Sequence, residues 1–401
     1  MSATCKAEFP LLSAQPDLRY LDSAATAQIH RTALDAVVRH ETTQRANVMR
    51  GTYRLAEAAD RAYEAARRSV AGFLNAASAE EVVFTSGATS ALNLVAHSFG
   101  QRLGPGDRIV ASVAEHHSNL LPWHVLRQRQ GVDLVLIPLG TDGRLDLSRL
   151  DDLVDGRTRL VALTQCSNVT GAITDVAAVV AAARRVGARV LLDGAQAVQH
   201  GPQDVQVLGV DFYAFSGHKA FGPGGVGVLW ARAEVLAGMP PFHVGGGMVG
   251  AVTAEGFTLA EVPRRFEAGT PPIAPAVGLA AALDWMRGLD WPAQRVSEAA
   301  LCARLLDGLR QLPGLRVLGP TDLAHRAPIV SFEIAGLHPH DICQVLDGRG
   351  LALRGGHHCA QPLLAALGTE ACTRASFALY NDEADVEALL DALRHAIRVL
   401  A

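Results

Sequence analysis

Two short segments, far apart in the chain, carry side chains able to do covalent chemistry. Ser216-Gly217-His218-Lys219 sets a lysine amine among small polar residues directly after an apolar run. Arg354-Gly355-Gly356-His357-His358-Cys359 sets a thiol beside two imidazoles, after a pair of glycines. A lysine amine forms Schiff bases with carbonyls and a thiolate attacks soft electrophiles, so the pair offers two nucleophiles for one substrate. Lys219 alone reads as an ordinary surface lysine; Ser216, His218 and the glycine-rich run after it make the Schiff-base role plausible. Cys359 alone reads as a buried structural thiol, the usual fate of free cysteine. Gly355-Gly356 before it and Pro362 after it favour a loop, and His357 and His358 could stabilise the thiolate, which is the reactive form.

Other segments offer binding groups. Gly87-Ala88-Thr89 is a small-residue turn into a helix start, where backbone N–H groups and a hydroxyl can hold a phosphate; it reads equally as an ordinary helix cap. Asp193 follows an apolar strand and leads into Gly194-Ala195-Gln196. Its carboxylate could hold the protonated pyridine nitrogen of pyridoxal phosphate, keeping the ring an electron sink, with Gln196 donating to the phenolic oxygen; a helix cap is the other reading. Arg374 could pair with a substrate carboxylate through its planar fork. The run Gly222–Gly227 leads into a strand and lacks P-loop spacing, which argues against a nucleotide site. His116-His117 and His357-His358-Cys359 lack paired ligand spacings, so no metal site is expected.

The elements that must position these residues form an alternating series. Apolar runs at Glu81–Thr85, Arg108–Ser112, Leu134–Pro138, Arg159–Thr164, Arg189–Leu192, Asp211–Phe215 and Gly225–Leu229 alternate with Ala-rich helical stretches. This predicts an α/β fold with a mainly parallel sheet covered by helices on both faces. Residues 31–74 read as largely helical, and a helix from Pro275 to about Arg287 leads into a second region. There, strands are expected at Leu315–Leu318, Ile329–Ile334 and Leu351–Arg354, and a helix over Glu383–Leu400. In such sheets ligands sit beyond the carboxyl ends of the strands, where several of the singled-out residues fall.

Composition narrows the classes of function. The chain has 401 residues, of which 49% are hydrophobic, enough for one large domain and a smaller one. A formal charge of −4 without long single-sign runs gives no footprint for nucleic acid. The start shows no basic segment followed by an apolar stretch, so no signal peptide is expected. Arg184 and Arg185 interrupt the longest apolar stretch, so no membrane span is expected either. Six cysteines without CxxC or regular spacing predict reduced thiols and a cytoplasmic protein.

Taken in order, the segments resemble the fold-type I, class V aminotransferase family, and within it the group II cysteine desulfurases of the SufS/CsdA type. The resemblance runs through Tyr20–Thr26, Ala114–Asn119, Ser167–Gly171, Leu192–Gln196, Phe215–Lys219, Phe266–Pro271, Gly356–Pro362, Arg374–Phe377 and Tyr380-Asn381. It implies a seven-stranded large domain over residues 20–275 and a small C-terminal α+β domain over 276–401 carrying the cysteine loop. Residues 1–19 would pack on the small domain. It further implies pyridoxal phosphate held covalently by Lys219, with His116 on the ring face, Asp193 at the ring nitrogen and Gln196 at the phenolic oxygen. Ala88 (backbone), Thr89, Ser216 and His218 would hold the phosphate, and Thr270 would reach the phosphate of the partner in a homodimer. Asn168 and Arg374, with Arg354 nearby, would bind the amino-acid carboxylate.

The implied reaction converts L-cysteine to L-alanine, with the sulfur taken by Cys359 as a persulfide and passed to an acceptor, a SufE/CsdE-like protein. Selenocysteine lyase, a class V transaminase or epimerase, and a catalytically silent scaffold are the competing readings. The sequence departs from the family at Met49, where group II enzymes usually carry histidine, and at Ala220-Phe221-Gly222-Pro223-Gly224, which lacks two hydroxyls. Methionine neither shuttles protons nor holds a charge, unlike the histidine usual at that position.

Overall fold

The structure, a computed structural model, describes residues 5–400. Residues 1–4 and 401, at the outer ends of two of the expected domain ranges, lie outside them. Seven strands form the main sheet: β1 (Val82–Thr85), β2 (Arg108–Ser112), β3 (Asp133–Ile137), β4 (Thr158–Thr164), β5 (Arg189–Asp193), β6 (Phe212–Ser216) and β7 (Gly227–Ala231). Their order is β1-β7-β6-β5-β4-β2-β3, and β7 alone runs against its neighbours. Runs such as Val82-Val83-Phe84-Thr85 and Phe212–Ser216 are buried at every residue, because helices cover both faces of a parallel sheet. This is the α/β architecture the alternation predicted.

The helices begin and end on local signals. Asp175 caps Val176–Arg185 by accepting from Ala178 N–H at 3.1 Å. The predicted helical block 31–74 is two helices, α1 (Arg31–Thr43) and α2 (Arg54–Leu74), the second closed by left-handed Asn75. Helix α3 (Ala88–Ser98) follows β1, and α4 (Ile273–Arg287) packs against α1 and α2.

A second sheet of four antiparallel strands, β8 (Leu315–Leu318), β9 (Ile329–Ile334), β10 (Arg354–Gly356) and β11 (Cys372–Ser376), has the order β8-β9-β11-β10. Helices α5 (Trp291–Leu309), α6 (Pro339–Asp347) and α7 (Glu383–Leu400) pack with it around their own apolar cluster. The strand expected over Leu351–Arg354 is divided. Leu351–Ala352 pairs in parallel with Arg19–Tyr20, whereas Arg354–Gly356 pairs with β11. Glycine makes the second part possible, since a Cβ on Gly355 would stand 2.8 Å from the Pro339 carbonyl oxygen.

The N-terminal arm touches both sheets' surroundings. Phe9 is fully buried among His30, Phe221, Trp285 and Tyr380, and Lys6 bonds Asp382 and Asp385 at 3.0 Å each. Among the described residues no helix is long and apolar enough to cross a membrane.

Candidate active site

The carboxyl ends of β1, β2, β4, β5 and β6 converge on a cavity of about 310 Å³, closed on its far side by β10, β11 and the loop after β10. Of the residues singled out from sequence, Ala88, Thr89, His116, Asn168, Asp193, Gln196, Ser216, His218, Lys219, Arg354, Cys359 and Arg374 all line it. Thr270 does not; it is exposed and lies beyond the pocket of its own chain.

At one end, α3 points its N-terminus into the cavity. Ser216 Oγ accepts from Ala88 N–H at 2.8 Å, and the Thr89 and Ser118 hydroxyls bond each other at 2.8 Å. The turn is tight because β7 crosses directly behind it: a Cβ on Gly227 would fall 2.4 Å from Gly87 Cα. Unpaired first-turn N–H groups, the hydroxyls and the helix dipole make this an anion cradle.

The middle of the cavity holds Lys219 between Asp193 and His116. Burial pulls the Lys219 amine down to about 8, with Asp193 opposing the fall and Arg374 adding to it. His116 Nδ1 accepts from Ser118 N–H at 3.1 Å, and burial, then Lys219, pulls the imidazole down to about 4. It is therefore a neutral ring carrying its proton on Nε2. His218 is similarly held near 4 by burial and Lys219.

The fit of a pyridoxal phosphate to these residues can be tested on two of them. Asp193 is buried, its Oδ1 accepts from Ala195 N–H at 2.9 Å, and no cation lies within ion-pair distance of it among the described residues. Burial pushes its pKa up, so it favours a proton or a cationic partner beside it. Gln196 Nε2 donates to the Ala24 carbonyl at 2.8 Å, while its buried Oε1 has no partner. A protonated ring nitrogen would satisfy Asp193, the second N–H of Gln196 Nε2 remains to donate to a phenolic oxygen, and the helix N-terminus suits the phosphate.

At the opposite end two arginines face each other across neighbouring strands, Arg354 opposite Arg374. Asp22 bridges them, 3.0 Å from Arg354 Nη2 and 3.0 Å from Arg374 Nη2. Arg374 also donates to the Asn168 carbonyl at 2.9 Å, and its buried Nε has no partner. Two guanidiniums against one carboxylate leave one positive charge for an anion. Asp22 lies in the Tyr20–Thr26 segment, where nothing local marks this role. Glu115 is a second omission: it is fully buried beneath His116, accepts from Ser112 and Asn119, and burial raises its carboxyl to about 8.

Cys359 is exposed, and both it and His358 have left-handed backbone, with φ of 56° and 51°. Such residues cost about 1–2 kcal/mol each and need surrounding contacts to hold them. Three hydrogen bonds supply them: Cys359 O accepts from His117 N–H at 2.8 Å, His358 O from Asn168 Nδ2 at 2.8 Å, and His357 Nδ1 from Cys359 N–H at 3.1 Å. The expectation that both histidines serve the thiolate is corrected for His358. Its Nε2 donates to the Cys372 carbonyl at 3.0 Å and burial drives it down to about 3, so it stays neutral and turned away. His357 and His117 remain beside the loop, their rings 5.9 Å apart.

The two departures from the family pattern lie outside this pocket. Met49 N–H donates to Asp60 at 2.6 Å, and its sulfur lies against Gly247. Phe221 is fully buried in the cage around Phe9, so the lost hydroxyl there became aromatic packing.

A mainly parallel seven-stranded sheet with a lysine beyond β6 and an aspartate at the end of β5 is the architecture of fold-type I pyridoxal-phosphate proteins. Residues 19–389 match the aminotransferase class-V family, and the chain belongs to that family, which is pyridoxal-phosphate dependent. A probable cysteine desulfurase of Streptomyces coelicolor is 45% identical over 397 residues, covering 97% of this chain and 95% of its own. The cysteine desulfurase CsdA of Escherichia coli superposes with a TM-score of 0.92 at 42% identity, covering 99% of this chain and 98% of its own. The apo cysteine desulfurase of Thermococcus onnurineus gives 0.94 at 38% identity, with 98% of each chain covered.

Proposed function

We propose that the chain is a pyridoxal-phosphate-dependent L-cysteine desulfurase that forms L-alanine and a persulfide on Cys359, then yields the sulfur to an acceptor. The observation that carries this reading is an exposed thiol sharing one small cavity with a buried, partly deprotonated lysine and an unpaired carboxylate. The cofactor, when bound, supplies an electron-withdrawing ring that stabilises negative charge at the substrate Cα.

The residues divide the remaining work. When the cofactor is bound, Asp193 would hold a proton at its ring nitrogen, Gln196 and neutral His116 would fix the ring, and Ala88, Thr89, Ser216 and His218 would hold the phosphate. Asn168 and Arg374, with Arg354, orient the substrate carboxylate, and Asp22 fixes the two arginines. The amine of Lys219, unprotonated above about pH 8, takes the Cα proton as general base. The Cys359 thiolate then attacks the substrate sulfur: an S–S bond forms, the C–S bond breaks, and its electron pair ends on the carbon skeleton, which takes up one proton at Cβ and regains at Cα the one Lys219 removed, leaving as alanine.

The same reading extends to assembly. We assign 20–275 to a large cofactor domain, 276–401 to a small domain and 1–19 to an arm between them. Thr270, exposed and three residues after buried Glu267, serves the phosphate of the partner subunit in a homodimer. An exposed Cys359 suits a SufE/CsdE-like acceptor protein, and five free thiols among the described residues suit the cytoplasm. Cys359→Ala should retain the yellow bound cofactor and form no persulfide, as read by mass spectrometry after cysteine is added. Alanine release at the wild-type rate by that variant, or the extra sulfur on Cys166, would sink the proposal.

A further inference from the structure

Behind the catalytic pocket lies a second and larger cavity, of about 520 Å³, and Cys166 lines both. Its charged groups are unevenly matched. Arg326 is 6% exposed, and its guanidinium donates only to the carbonyls of Leu318, Pro320 and Ile329. No carboxylate lies within ion-pair distance of it among the described residues, and the same holds for exposed Arg295 on α5. The cavity's carboxylate, Glu298, is buried and held by His200 Nδ1 at 3.0 Å, which leaves the buried His200 Nε2 without a partner. The remaining wall is largely aliphatic, Ile173, Ala299 and Leu323 among it.

Two guanidiniums set against one already engaged carboxylate leave the cavity short of a single negative charge. A dianion would meet Glu298 at close range, and a fully polar ligand would leave the aliphatic wall wet. From this we infer that the cavity is a binding site for a small organic monocarboxylate with an aliphatic body, its carboxylate at Arg295 and Arg326 and its chain along Ala299. The wall between the two cavities is the segment 165–168, whose Asn168 holds His358 and Arg374 in place. Occupancy therefore reaches the catalytic pocket as a change in the KM for cysteine. That second effect rests on the proposed reaction; the binding itself does not.

The test uses the holoenzyme and 6,6,6-trifluorohexanoate, followed by fluorine NMR. A ligand of this size should bind one site per chain, saturably, in the millimolar range. Ala299→Trp, which fills the cavity, and Arg295→Ala, which removes a cation at its mouth, should each weaken binding about tenfold. Arg354→Ala, in the catalytic pocket, should leave it within about twofold. Unchanged thermal unfolding of the two cavity variants shows that they are folded. No saturable binding by wild type, or binding that survives both cavity variants, overturns the inference. So does binding that Arg354→Ala abolishes, since the probe would then sit in the catalytic pocket. Loss of the cysteine reaction without loss of probe binding would strike the proposed function and leave this site standing.

Discussion

At the lysine end of the pocket each neighbour comes off the rim of a sheet buried on both faces, whereas at the cysteine end the reactive atom rides a short loop in left-handed backbone. Ser216 and Asp193 end β6 and β5, and both are buried. Cys359 is exposed, and three hydrogen bonds to or near its peptide oppose the cost of its conformation. The difference follows from the partners each group serves. A lysine whose amine must stay partly neutral needs desolvation, while a thiol that must give up what it receives needs an open side.

The largest test of this contrast is at the lysine. Lys219→Ala should cost at least about 10⁴-fold in kcat, because it removes both the covalent hold and the base. Exogenous methylamine should restore part of the rate, which a merely unfolded variant would not show.

Next comes the scaffold beneath the lysine end. Glu267 accepts from both Arg67 Nη atoms at 2.7 and 2.9 Å, from Tyr63 at 3.1 Å and from Phe84 N–H at 2.7 Å, joining α2 and β1 to the segment that carries Thr270. Breaking a buried pair of this kind costs about 3–5 kcal/mol. Glu267→Ala should lower the denaturation midpoint accordingly, and a shift as small as that of a surface variant would contradict the anchoring role.

At the arginine end the effect should be smaller and selective. Asp22→Asn should raise the KM for cysteine about tenfold, equivalent to about 1.4 kcal/mol, and change kcat far less, since the arginines lose their spacing but keep their charge. Equal losses in both constants would place Asp22 in the chemical step.

The smallest expected change is a shift along the pH axis. Only the free amine captures an aldehyde, so the rate at which apo-protein takes up pyridoxal phosphate should rise with pH through about 8, the value to which burial lowers Lys219. Asp193 favours the ammonium form, so Asp193→Asn should move that midpoint to lower pH. A midpoint near the ordinary lysine value would show the amine to be solvated.

Much of the lysine end was legible in the sequence because strand and helix periods announce themselves. The runs ending at Thr85, Ser112, Thr164, Leu192 and Phe215 fix where ligands must sit, and the residues just after them fix which ligands fit. Asp22 escaped because its importance is a matter of two distant arginines meeting across β10 and β11, and no local pattern records that pairing. The turned-away His358 escaped for the same reason: adjacency to Cys359 suggested a partnership that a hydrogen bond to Cys372, across the sheet, pre-empts. The break at Leu353 depended on Pro339 pressing against Gly355, a contact sixteen residues distant in sequence.

The loop's three tethers also bear on traffic. Cys359 is fastened through its own carbonyl to His117 and through its own N–H to His357, so it has little reach beyond its side chain. A carrier fixed in this way cannot ferry its load across a gap. Under the proposed reaction, the receiving thiol has to travel to it, and delivery becomes second order, governed by the acceptor's concentration and by how often its own thiol arrives in line with the waiting sulfur.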